Sequence, residues 1–350
     1  MRHALRKAGF RPLTWGPFRV LLRPRLVKIA AMLALAVGLL VIYGVTRGSL
    51  PIPTSAIGRA LFYPDVLSAQ QVYIVRDIRL PRLLMAVFCG GMLGLAGAAM
   101  QSITRNGLAD PGLIGVKEGT SVVVLTLILA FPSLSLTWRP LAGMLGGMLV
   151  ALLVMVLARD LSRPRFILIG IGVSWALSAA MGLFVTTADI RDVQTAMTWL
   201  AGSLHAATWS LLAVAVAWAL PAVVILYLSA RAADVAMLGN QVASSLGVRL
   251  ARLTLLRFLA PVLLTAASVS CVGSLGFVGL MAPHMARFLL SGGQVSLLTG
   301  SALIGALLVL LTDTIGRLAF APLQIPAGII ISLIGCPFFI LLLWRRRDAL

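Results

Sequence analysis

Three arginines and one glycine-spaced stretch carry most of the chemistry this sequence can offer. Arg79 and Arg82 flank Pro81 where an apolar run begins, and Arg317 closes another run, one helical turn after Asp313. A guanidinium is always charged and can hold an oxyanion through two parallel hydrogen bonds. Arg79 and Arg82 share a helix face at this spacing, and Pro81 fits there because first-turn N–H groups lack helical partners. Two plainer readings stand beside recognition. Arg79 and Arg82 could lay their stems along the apolar boundary with their heads in water, and Arg317 could pair with Asp313 on its own helix. The stretch Gly273-Ser-Leu-Gly-Phe-Val-Gly-Leu-Met-Ala-Pro-His-Met-Ala-Arg287 sets Pro283, His284 and Arg287 just beyond an apolar run. Such residues are costly in lipid and normally sit there for a reason.

These residues lie in a chain of 350 amino acids that is 60% apolar and 11% charged, with a mean hydropathy of +1.03. Soluble domains carry about 25% charged residues, so the solvent of this chain is the lipid bilayer. The formal net charge is +19. In a soluble protein that balance would raise nucleic acid as a partner. Here the basic residues cluster between apolar runs, as topology signals do, and nucleic acid is excluded. Cys89, Cys271 and Cys336 are far apart, match no metal or haem spacing, and read as small buried apolar residues. His205 and His284 have no ligand-type neighbour in sequence, so no metal site is expected.

Ten apolar runs approach the roughly 20 residues a helix needs to span a bilayer: 28–46, 81–103, 112–131, 138–158, 165–187, 208–228, 255–273, 277–290, 295–316 and 326–344. The eighth is short. Most of the 29 Lys and Arg residues fall inside if both termini are cytoplasmic, which predicts an all-α membrane protein of about ten helices, N-in and C-in. Residues 1–27 read as a basic cytoplasmic segment, 28–344 as one transmembrane domain, and 345–350 as a basic tail. The basic start followed by an apolar run mimics a signal peptide. Its basic region is too long and shows no clear cleavage site, so the run reads as a retained first helix.

Gly90 and Gly94, Gly115 and Gly119, and Gly143 and Gly147 form small-xxx-small pairs that let helix backbones approach closely. The longest inner loop, 229–254, reads as two short helices broken at Gly239-Asn240, with a second break at Gly247. Val235, Met237, Leu238, Val242 and Leu246 would present an apolar strip outside the membrane. A helix lying on the lipid surface and a docking element for a soluble partner both fit that pattern. Trp199 and Trp209 bracket an outer segment, as interfacial aromatics do. The adjacent pair Lys117-Glu118 points to different helix faces and need not pair internally.

Taken jointly, several segments resemble the permease subunits of the iron-siderophore and vitamin B12 importers, the FecCD-type or type II family of ATP-binding-cassette systems. They are Ile78-Arg-Leu-Pro-Arg82, Gly94 to Gly115, Gly273 to Arg287, Asp313-Thr-Ile-Gly-Arg317 and Leu323-Gln-Ile-Pro-Ala-Gly328. The resemblance runs from about residue 28 to the C-terminus and implies a type II permease bundle in a bacterial inner membrane, moving ferric siderophore, or alternatively cobalamin or haem. It implies three kinds of partner: ATPase subunits that use the ATP, a periplasmic substrate-binding protein, and a second permease, a sibling in preference to an identical copy. No cofactor is bound directly.

The same resemblance assigns roles by position. Arg79, Arg82 and Arg317 would take carboxylates of the binding protein. Loop 229–254 would be the pair of coupling helices, with Met237, Leu238, Gly239, Ala243, Leu246 and Gly247 in contact with the ATPase. The turn Arg105 to Pro111 would face the ATPase too, although Asn106-Gly107 stands where the family often has Asn-Pro. The fifth and tenth runs would line the path, offering Ser174, Ser178, Thr186, Thr187 and Ser332, with a cytoplasmic gate at Asp160-Leu-Ser-Arg-Pro164 that includes Ser162.

Two other classes are weaker. An ATP-independent secondary transporter usually needs intramembrane acids or histidines, and Glu118 and Asp313 both sit near run ends. A membrane enzyme would need a motif such as HExxH or paired membrane aspartates, none of which is present, and no phosphate loop GxxxxGK[ST] occurs. The chain is therefore read as a permease without catalytic residues.

Overall fold

The computed structural model describes residues 11–15, 18–22, 24–48, 50, 52–53, 57–58, 60, 68–131, 138–160, 164–290 and 292–346. Besides a short 3-10 helix at Pro111–Ile114, thirteen helices are described: α1 Pro24–Thr46, α2 Ala69–Thr104, α3 Val116–Ala130, α4 Trp138–Ala158, α5 Pro164–Thr187, α6 Ile190–Leu200, α7 Trp209–Leu228, α8 Ala230–Ala236, α9 Asn240–Ser245, α10 Leu250–Val272, α11 Val278–Leu289, α12 Gln294–Leu318 and α13 Ala327–Arg346. Seven of them, α1, α2, α4, α5, α7, α10 and α12, are long and apolar enough to cross a membrane. The other three expected runs also form helices: α3 and α11 are only 15 and 12 residues long, and α13 has a shorter apolar part, Ala327–Leu342. Every one of the ten runs thus coincides with a helix.

Two departures from that expectation have local causes. Arg11–Trp15 and Phe18–Leu22 form an antiparallel two-stranded hairpin, Arg11 opposite Leu22 and Trp15 opposite Phe18, a small β element in a chain expected to be all-α. The second helix begins at Ala69, well before Pro81. Residues 69–80 carry Gln70, Gln71, Arg76, Asp77 and Arg79, so hydropathy does not mark them as membrane. The backbone passes through a π-helical turn over Ile74–Arg79 before Pro81. A wider turn of this kind relieves the missing N–H and the ring clash that proline brings to a continuing helix.

The core is built around α2, which packs along α12, α10 and α11. Glycines make that possible. A Cβ on Gly90 would collide with the Gly305 carbonyl, one on Gly94 with that of Ser301, and one on Gly97 with that of Gly279. Where lipid gives no hydrophobic drive between helices, such backbone contact supplies the packing. The pairs Gly115/Gly119 and Gly143/Gly147 serve α3 and α4 in the same way: Gly119 abuts Val150 and Gly146, and Gly147 abuts Thr120 and Val116. Cys89 and Cys271 are buried in this core as expected, whereas Cys336 is exposed on α13. Among the spans, α2 and α10 are the most enclosed, and α1 and α5 the least.

Candidate functional site

The outer ends of α1, α2 and α12 are tied together by the three singled-out arginines. Arg79 donates to the Val45 and Leu50 carbonyls, each at 2.6 Å. Arg317 donates to the Gly44 carbonyl at 2.8 Å and the Arg47 carbonyl at 3.1 Å. These carbonyls lie at or just past the C-terminus of α1, where the last turn has no helical donors and the dipole is negative. Arg82 takes Asp313 instead, with Nη2 to Oδ1 at 2.9 Å and Nε to both oxygens at 3.1 Å, while Nη1 donates to Gln324 Oε1 at 2.8 Å. All three side chains are buried. Arg79 and Arg82 therefore do not snorkel, and Asp313 pairs with Arg82 of a distant helix, not with Arg317 one turn away. Trp209 closes the same end, donating its indole N–H to the Arg76 carbonyl at 2.8 Å.

At the inner end, loop 229–254 forms α8 and α9, broken at Gly239 with φ at 112°, and followed by Gly247 with φ at 81°. Neither glycine has any other atom within 4 Å of where a Cβ would sit, so each is needed for the backbone angle and not for space. Met237, Leu238, Val242 and Leu246 are exposed, Leu246 by 64%. Ala243 is fully buried and faces the bundle, so within that segment Val242 shows its side chain where Ala243 does not. Arg105 ends α2 in a left-handed conformation and spans the break, donating to the Ala236 carbonyl at 3.0 Å and Asn240 Oδ1 at 2.9 Å. In the turn that follows, Asn106 Oδ1 accepts from Leu108 N and Asp110 Oδ1 from Gly112 N. Two side chains folding back on their own backbone in this way give a tight turn despite Gly107.

The residues Pro283, His284 and Arg287 lie inside α11, with Pro283 and His284 buried. Arg287 Nη1 donates to Gln101 Oε1 at 2.7 Å, and Gln101 Nε2 donates to the Gly279 carbonyl at 3.3 Å. The stretch thus locks α11 onto α2.

The FecCD transport family matches residues 34–345. The chain belongs to the FecCD transport family. A probable siderophore transport permease of Bacillus subtilis, YfhA, is 36% identical over 79% of this chain and 83% of that protein. The iron(III) dicitrate permease FecD of Escherichia coli is 32% identical over 92% and 99%. The vitamin B12 permease BtuC of Vibrio cholerae is 39% identical over 81% and 86%. A solved structure described as an inward-facing metal-chelate type ABC transporter superposes with a TM-score of 0.79 at 30% identity, covering 91% of this chain and 99% of that one. The FecCD chain is thus a multi-pass membrane protein with the expected bundle.

The hydroxyls expected along a path fare unevenly in this FecCD fold. Ser174 is buried and donates to the Leu113 carbonyl at 3.4 Å, inside the chain. Ser332 donates back to Gly328 of its own helix, and Thr186 and Thr187 to Leu183 of theirs. Ser178 is exposed on α5, and Ser162 lies outside the described residues. What α5 and α13 do present is a run of large exposed apolar side chains, with Trp175 at 76% and Leu333 at 70%.

Arg257 is buried in α10, and the reading of the sequence does not single it out. An arginine within an otherwise apolar run was the available signal.

Proposed function

We propose that this chain is the transmembrane permease subunit of an ATP-binding-cassette importer that carries ferric siderophore across a bacterial inner membrane. ATP is used by separate ATPase subunits, and the chain itself holds no catalytic residue. The observation that carries this reading is the exposed strip Met237, Leu238, Val242 and Leu246 on α8 and α9, beyond the ends of the spans. A patch of this kind rimmed by polar residues marks a partner site, and its shape, two short helices at a rigid break, suits a cleft on an ATPase. Gly239 and Gly247 set the backbone that presents it.

At the outer face, Arg79, Arg82 and Arg317 serve a periplasmic binding protein. They are engaged internally in this structure, so docking would exchange Asp313 and α1 carbonyls for the partner's carboxylates. The faces of α5 and α13 around Trp175, Ser178 and Leu333 meet a second permease, a related chain in preference to an identical one, and the path runs between the two. Ser174 and Ser332 are assigned to that path by resemblance, as is Ser162 to its inner gate although it lies outside the described residues, and a weakly polar lining suits a bulky chelate that must not stick.

The substrate reading is supported by relatives named for siderophore, iron–citrate and hydroxamate–iron transport. Import of cobalamin is the second reading, favoured by the 39% identity to the vitamin B12 permease. The test of the ABC assignment is co-purification with an ATPase and uptake into proteoliposomes. Uptake that stops without ATP supports it, and uptake by the chain alone contradicts it.

A further inference from the structure

Arg257 is 1% exposed, the largest of the fully buried side chains among the described residues. Among the described residues no carboxylate lies within ion-pair distance of it. Neutral acceptors hold the charge instead. Nη1 donates to the Leu226 carbonyl at 3.3 Å and Ser229 Oγ at 3.2 Å, both at the inner end of α7. Nη2 donates to Gln294 Oε1 at 2.8 Å, at the first residue of α12. Its Nε has no hydrogen-bond partner. Gln294 in turn donates its backbone N–H to Asp234 Oδ1 of α8 at 2.8 Å. One buried guanidinium therefore joins α10 to α7 and α12, and through Gln294 to α8.

The first short helix is fastened a second time. Arg105 of α2 holds its C-terminal carbonyl at Ala236 and the Asn240 side chain beyond it. Between the two fastenings lies a cavity of about 540 Å³ lined by Gln101, Arg105, Asp234, Met237, Arg287 and Gln294. A load on the exposed strip cannot be absorbed by sliding α8 along the bundle, because both fastenings would have to break. Removing one partner of a buried charged group leaves that group unsatisfied, which costs more than the net worth of the bond.

We propose that Arg257, with Gln294 and Asp234, is the joint that passes movement of the short helices into α7, α10 and α12. Arg257 acts as a positioning residue, touching neither ATP nor substrate. This rests on the reading that the 237–246 strip docks on an ATPase. A bond network with discrete alternatives can carry coupling between distant sites.

The test uses the full transporter, permease, ATPase and binding protein, reconstituted in proteoliposomes with a radiolabelled ferric siderophore as the probe. Arg257→Met and Gln294→Leu are expected to assemble with the ATPase at wild-type yield and to hydrolyse ATP at a near-normal basal rate. Substrate moved per ATP is expected to fall about tenfold. Asp234→Ala should behave likewise, whereas Asp234→Asn keeps an oxygen for the Gln294 N–H and should retain most of the normal ratio. If Arg257→Met fails to fold, the Gln294 and Asp234 variants carry the test. Transport and hydrolysis falling by one common factor, or an unchanged ratio, overturns the joint. Loss of the ATPase from Arg257→Met overturns it too, by making Arg257 part of assembly. Retention of the ATPase by Leu246→Asp instead overturns the docking reading on which the joint rests.

Discussion

Arg82 and Asp313 are 231 positions apart in sequence and 2.9 Å apart in space, and both are buried. Their pair ties α2 to α12 at the outer face, beside two further arginines that cap the end of α1. Asp313→Ala leaves a buried guanidinium without its counter-charge, at a cost of about 3–5 kcal/mol. Thermal unfolding of the solubilised chain is expected to show that loss, with a somewhat smaller one for Asp313→Asn, which also loses the charge but keeps one acceptor oxygen.

The same pair bears on docking. If Arg82 must leave Asp313 to take a carboxylate of the binding protein, Asp313 is an internal competitor. Arg82→Gln is expected to weaken binding-protein affinity at least about tenfold while the ATPase stays bound, and Asp313→Asn to strengthen it. Pull-down with purified binding protein reads both. A glutamate at position 79 is a poor probe, because it would face the Val45 and Leu50 carbonyls and disturb the fold.

On the inner side, Leu246→Asp and Leu238→Asp should lose the ATPase on purification with unfolding unchanged within about 0.5 kcal/mol, as for other exposed positions. Gly239→Pro should also lose it, because proline fixes φ near −65° where the chain needs 112°. Ala243→Asp should fail earlier, by unfolding, since that side chain is buried.

Helix contact gives a stability test independent of partners. Gly94→Ala drives a methyl into the Ser301 backbone and is expected to cost about 2–3 kcal/mol. Gly38→Ala, with open space at that point of α1, should be neutral or stabilise by up to about 1 kcal/mol.

The ten apolar runs and the glycine break of the 229–254 loop were legible in the sequence because length and hydropathy settle membrane helices and φ-demanding glycines mark turns. The start of α2 was not: its first residues are polar, and Pro81 looks like a helix beginning when a π-turn lets the helix pass through it. Arg79, Arg82 and Arg317 were legible as special but not as engaged, because their acceptors are backbone carbonyls of α1 and an acid on α12. Spacing along one chain cannot disclose pairs brought together by packing. Arg257 was hidden for the opposite reason, since a basic residue near a cytoplasmic end already has an ordinary explanation in topology. Ala243 entered the contact set by position within a loop whose other members do face outward; the helix turn at α9 points it back.

Uptake of radiolabelled iron, presented as a panel of ferric siderophores beside labelled cobalamin, in cells with and without this gene, tests the central claim most directly. Loss of uptake for one siderophore class, with cobalamin unaffected, is the predicted result. Loss of cobalamin uptake alone would contradict the substrate, and unchanged uptake of both would contradict the siderophore and cobalamin readings together.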